Sequence, residues 1–131
     1  RMINDAINIK DAFIINIGVI FNIVVRPNYN NNETLTKCIV ALTEYFNIKN
    51  WQINQPIILG DLYLLLDRVE GVQTVKNVSI DNLAGTNLGY SKYAYDVIGA
   101  TIDDVVYPSI DPMVFEVKFP NTDIKGRVVP L

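Results

Sequence analysis

The stretch from Gln55 to Ile80, QPIILGDLYLLLDRVEGVQTVKNVSI, constrains the fold more than any other part of this chain. From Leu59 to Val69 the residues Leu62, Leu65, Leu66 and Val69 recur at helical intervals, which gives a short helix one apolar side. With no linker, the pattern becomes that of an alternating strand from Val72 to Ile80. A glycine at such a junction adopts the left-handed conformation cheaply, because it has no Cβ to clash. Gly71 and Val72 are therefore read as a structural hinge between helix and strand. The segment is a packing device and carries no chemistry.

A second strand is equally plain upstream. Between Ala12 and Arg26, Phe13, Ile15, Ile17, Val19, Phe21, Ile23 and Val25 fall on one face, with Asn16, Gly18 and Asn22 among the residues opposite. Gly18 marks a possible bulge or bend, and Pro27 ends the strand. Asn30, with Glu33 three residues later, is a helix-start signal. From Glu33 to Phe46 the residues Leu35, Cys38, Ile39, Leu42, Tyr45 and Phe46 define an amphipathic helix. Trp51 lies in the connector that Pro56 closes. The order is strand, helix, helix, strand over residues 1–81, predicting an α+β fold with two helices on one face of a sheet. Residues 82–131 are expected to form a β-rich extension packed on the same domain. Within it, 82–90 reads as a loop, Tyr93, Tyr95 and Val97 as a third strand, and Met113 to Phe119 as a fourth that Pro120 stops. Residues 121–131 read as extended.

Composition excludes more than it assigns. The 131 residues suit one domain, large enough to fold without disulfides or a structural metal. Half are apolar and 19% are charged, a lean that fits a buried partner surface as well as a large core. A net charge of −3 with no basic run gives no footprint for nucleic acid. The most apolar run, Ala12 to Val25, is too short and too interrupted by Asn16, Gly18 and Asn22 to span a bilayer. Histidine is absent, which removes the commonest general base and the commonest transition-metal ligand. Cys38 is the only cysteine, so intrachain disulfides are excluded, and its place on the helix's apolar stripe makes it a small buried hydrophobe.

The remaining candidates read as structure. Asp81, Asp96, Asp103, Asp104, Asp111 and Asp123 lack the spacing of a calcium loop and suit turns. Gly85, Gly89 and Gly99 do not form a phosphate-binding fingerprint. Trp51 and the seven tyrosines, without interleaved basic residues, suit core and interface positions better than a base-stacking surface. The sequons at Asn32 and Asn77 read as chance matches. No catalytic residue, cofactor, metal or small-molecule substrate is expected.

Several of these elements, in order, carry a resemblance. The strand AFIINIGVIFNIVVRP, a helix ending in Tyr45-Phe46, the link Trp51-Gln52-Ile53-Asn54-Gln55-Pro56-Ile57, a second helix and Val69-Glu70-Gly71-Val72 resemble the C-terminal domain of baseplate J-like proteins. The tract Tyr107-Pro108-Ser109-Ile110-Asp111-Pro112, then Phe115-Glu116-Val117-Lys118 and Asp123-Ile124-Lys125-Gly126, is more closely similar to the large baseplate wedge subunit of T4-type contractile-tailed phages. The resemblance implies a virion protein of the tail baseplate, assembled in the host cytoplasm. Its partners would be further copies of itself, as a dimer or a ring, and other wedge subunits. It also implies that the chain is the C-terminal portion of a longer polypeptide, which the opening Arg1-Met2 fits.

An assembly role needs a surface. The strand Met113 to Phe119, following two proline turns, is expected at a sheet edge, where unpaired backbone invites another chain. Tyr107, Met113, Phe115, Val117, Phe119 and Ile124 are the candidate interface residues, while covering the domain's own core is the competing role for the same side chains. Trp51, Pro56, Gly71 and Val72 are candidate structural positions. A small α+β ligand-binding or regulatory module is the alternative, marked by a pocket with convergent polar groups. An enzyme fits worst, since its acid–base pair would come from carboxylates, lysine and tyrosine alone.

Overall fold

The computed structural model describes residues 13–47, 51–85, 88–91, 93, 95–97, 99–108 and 113–131. At its centre is β1 (Phe13–Val25), paired antiparallel with β3 (Val72–Leu83) on one side. On its other side it pairs in parallel with β6 (Met113–Glu116) and then β7 (Ile124–Val128). Ile15, Ile17, Val19, Phe21 and Ile23 of β1 are all fully buried, so the alternation in sequence is realised as one core-facing row. α1 (Asn31–Tyr45) and α2 (Leu59–Asp67) bring Cys38, Leu42, Leu62 and Leu66 to the same core. The fold is α+β.

The helix limits follow from local chemistry. Asn30 caps α1 by accepting a 3.0 Å hydrogen bond from the Glu33 amide, so the helix begins at Asn31, ahead of the expected Glu33. α2 ends at Asp67, short of the expected Val69, and Gly71 lies beyond the helix in the turn that starts β3. Its φ of +100° is the left-handed conformation anticipated, and its carbonyl accepts from the Arg26 amide at 2.8 Å. A Cβ there would also lie 2.8 Å from Thr34 Oγ1 and 2.9 Å from a Tyr29 ring carbon. Gly71 therefore gives both the turn and the close approach of the α1 entry.

Several expectations are corrected. β1 and β3 shift register at Asn22/Ile23 and Val24/Val25, not at Gly18, which packs against Leu83 and the Asp123 carbonyl. The boundary expected between residues 81 and 82 falls inside β3, which continues to Leu83, and β6 and β7 complete the same sheet. Tyr93, Tyr95 and Val97 are not in a strand. There the amides of Tyr93 and Tyr95 donate to the side chains of Ser91 and Asn82, leaving no ladder to join. The strand from Met113 stops at Glu116, and residues 121–131 are not simply extended. Eight residues of chain separate Glu116 from Ile124, while their partners Asn16 and Val19 on β1 are three apart. The surplus is thrown out as a bulge containing the one-turn α3 (Pro120–Asp123) before β7 resumes the parallel pairing.

A minimal second sheet, absent from the sequence reading, forms from β2 (Ile57–Ile58), β5 (Val105–Val106) and β4 (Thr101–Ile102), in that order. Asp103 and Asp104, with φ of 52° and 63°, form the β4–β5 turn in the left-handed region that aspartate tolerates. Its inner residues Ile57 and Val106 are buried in the main core.

Candidate functional site

The six candidate interface residues separate into two groups. Met113, Phe115, Val117 and Ile124 are 0%, 1%, 9% and 2% exposed, within the core of the chain itself. Their side chains therefore present no surface in the folded chain, which corrects the interface expectation for these four. β1 pairs with β6 and β7 so that Met113, Phe115 and Ile124 lie beside Phe13, Ile15 and Val19 and continue their apolar row, while Val117, just past β6, joins the same core. Tyr107 and Phe119 are exposed. Strand β6 does lie at an edge of the sheet among the described residues, as its position after the proline turns predicted.

That edge is partly closed by the Trp51–Pro56 link. Asn54, at φ 63°, donates its amide to the Met113 carbonyl at 2.6 Å, and its Oδ1 accepts from the Met113 amide at 3.0 Å. One residue thus saturates the outer backbone groups of the first position in β6, removing them from any edge-to-edge pairing. Trp51 is buried against Phe46 and Tyr45, with ring centroids 5.1 and 5.5 Å away. Pro56 leads directly into β2. The structural roles expected of Trp51, Pro56, Gly71 and Val72 are packing and turn roles; Val72 is 2% exposed in the core.

Polar chemistry is concentrated at the end of the sheet where β1 begins. Asn16, only 1% exposed in a mainly apolar strand, accepts from the Ser91 amide at 2.6 Å and donates to Glu116 Oε1 at 2.8 Å. Asn82 donates to the Asn16 carbonyl at 3.1 Å and accepts from the Tyr95 amide at 2.8 Å. Together they fasten Ser91 and Tyr95, and the Tyr95 ring meets Phe115 edge-on. Farther along the open face, Tyr90 donates to buried Asp123 at 2.8 Å, and this hydrogen bond, then burial, pushes the Tyr90 pKa up. The Asp123 carboxylate also accepts from the Phe119 amide at 3.3 Å, so it holds the bulge before β7 closed. Sequence reasoning treated Asn16, Asn82, Asn54 and Asp123 as background or turn formers. Only Asn16 carried a usable signal, as a polar residue inside an apolar run.

The reactive-group inventory is short. Burial pushes the Cys38 thiol up to about 11, so it is a poor nucleophile at neutral pH. Among the described residues no group of three cysteine, aspartate or glutamate side chains is placed to hold a metal ion. No helix among them is long and apolar enough to cross a membrane. Two open cavities stand out. One of 280 Å³ is lined by Ile14, Asn16, Tyr90, Ser91, Tyr93, Glu116 and Lys118. The other, of 370 Å³, lies between α2, β3 and the small sheet and is walled mainly by Leu59, Val78, Ile80, Val97 and Val106. Comparison with known proteins adds no assignment: no protein-family model matches the chain, and no curated protein matches its sequence.

Proposed function

We propose that this chain is a structural component of the baseplate wedge of a contractile phage tail, working through protein–protein contacts and not through catalysis. The observation that carries this reading is the ordered series of packing devices in the sequence. These are the long strand ending at Arg26-Pro27, the Trp51 to Ile57 link, the Val69-Glu70-Gly71-Val72 junction and the Tyr107 to Gly126 tract. Two of them have structural tasks that support a scaffold role: in the link Trp51 fills the core and Asn54 covers an edge, and at the junction Gly71 makes the turn into β3. The partners on this reading are further copies of the chain and other wedge subunits, in the host cytoplasm during assembly and in the virion afterwards. No cofactor, nucleic acid, membrane or small-molecule substrate is part of it. The test is disruption of the encoding gene followed by electron microscopy of the particles produced. Loss of sheathed tails with heads still formed is the expected result; normal contractile tails would sink the reading.

One observation favours a second reading, a small ligand-binding or regulatory module. The 280 Å³ cavity brings Asn16, Ser91, Glu116, Lys118 and two tyrosines to one opening, an aromatic wall with convergent polar groups. Ligand-observed NMR against a metabolite mixture tests it, with signals lost in Glu116→Gln as the supporting outcome.

A further inference from the structure

The small sheet places three aliphatic side chains in a row on its outer face. Ile58 pairs with Val105 and Val105 with Ile102, and antiparallel partners share a face. Ile58 and Ile102 are 41% and 60% exposed, while the inner partners Ile57 and Val106 are buried. At the end of this row the β4–β5 turn presents Asp103 and Asp104, both exposed, and neither makes an ion pair among the described residues. The result is an apolar strip with an acidic end.

The open face of the main sheet has the complementary character. Ile20 is 38% exposed in its middle, next to Lys125 in register, and Arg127 stands beside Asn22 one pleat farther along. Both cations are exposed and unpaired with any acid among the described residues. Beside Ile20 the surface sinks into a depression of 120 Å³ lined by Gly18, Leu83, Tyr90 and Lys125 together with Asp81 and Asp123. Gly18 makes that depression, since any side chain there would meet Leu83. It is a hollow with room for one aliphatic side chain, and its wall holds Lys125 as well as two carboxylates.

We propose that a second copy of this chain occupies each surface: the Ile58–Val105–Ile102 row of one copy seats on the open sheet face of the next, with Ile102 in the hollow beside Ile20 and Asp103 and Asp104 meeting Lys125 and Arg127. This rests on the assembly reading and names one of its contacts. The argument for a second copy is charge complementarity between two faces of the same molecule, each with an apolar centre. Because the two surfaces are different, the contact is head-to-tail and joins copies in series.

Two variants test it on the full 131-residue chain. Ile102→Glu spoils the row, and Lys125→Glu with Arg127→Glu spoils the open face; all three positions are exposed, and circular dichroism checks that each variant is folded. In analytical ultracentrifugation the unaltered chain self-associates, each variant alone is monomeric, and an equimolar mixture forms a one-to-one dimer. Mixing rescues association because each variant lends the surface the other lacks. A wild-type chain that stays monomeric at about 1 mM, where even weak contacts of millimolar Kd are half formed, overturns the contact. So does an open-face variant that still associates, or a mixture that does not. None of these outcomes touches the gene-disruption result, so the contact and the baseplate reading fail separately.

Discussion

Gly126 has no side chain because Phe21 occupies the space where one would go. In the parallel pairing of β1 with β7 these two residues are register partners, and a Cβ on Gly126 would clash with the Phe21 ring edge. Gly126→Ala should therefore destabilise the fold by about 1–3 kcal/mol or more, the range for overpacking a core. Urea denaturation checks this, and a change below a few tenths of a kcal/mol would contradict the placement of β7. Asn16 makes a different kind of prediction. Asn16→Ala removes the acceptor of the Ser91 amide and the donor to Glu116, leaving buried polar groups unsatisfied at a cost of about 1–3 kcal/mol. Amide exchange should speed up at Ser91 and Tyr93 before it does in β1, because Asn16 is what pins that crossing segment.

At the scale of elements, β1 is the one strand of the main sheet paired along both edges among the described residues, and β3, β6 and β7 each depend on it. Its amides should exchange slowest of the described residues. Those of the two-residue strands β4 and β5 should exchange fastest, and a hydrogen-exchange map reversing that order would refute the topology. The bulge between β6 and β7 is held by Tyr90 and the Phe119 amide meeting on Asp123. Tyr90→Phe leaves the buried Asp123 carboxylate one donor short. We expect a lower urea midpoint, with faster exchange confined to residues 117–124. The sequence marked only a stop at Pro120, inside this bulge. It did not mark the bulge itself, because the pairing partner lies about a hundred residues upstream, beyond the reach of any local pattern.

For the molecule as a whole, the buried protons make stability fall in alkali. Cys38 holds its proton in the folded chain up to about 11 but releases it at 9.0 when unfolded, so between those values the unfolded chain binds fewer protons. Stability from this group is complete below 9.0 and declines as pH rises towards about 11. Tyr45, raised mainly by burial with Asp61 contributing, and Tyr90 act in the same direction above their usual value of 10.0. The thermal midpoint should drop through this window, and Cys38→Ala should flatten part of the drop. A disulfide reagent at neutral pH should label Cys38 only on unfolding; prompt labelling of the native chain would contradict its burial.

The sequence by itself determined the elements whose cause is local. The alternation of Phe13 to Val25, the stripe through Cys38 and Leu42, the Asn30 cap and the turn at Gly71 each depend on residues within a few positions of one another. It also determined which chemistry the chain lacks, since histidine is absent and there is one cysteine. Only the tertiary structure decided what faces outward. Met113, Phe115 and Val117 alternate as an edge strand should, yet all three side chains are buried in the core, the first two on a strand that pairs with β1. Ile58 and Ile102 carry no pattern at all and become the exposed apolar row, because two-residue strands from distant parts of the chain meet across Val105. Burial is a property of what packs against a residue, and for these residues the partner is far away in the chain.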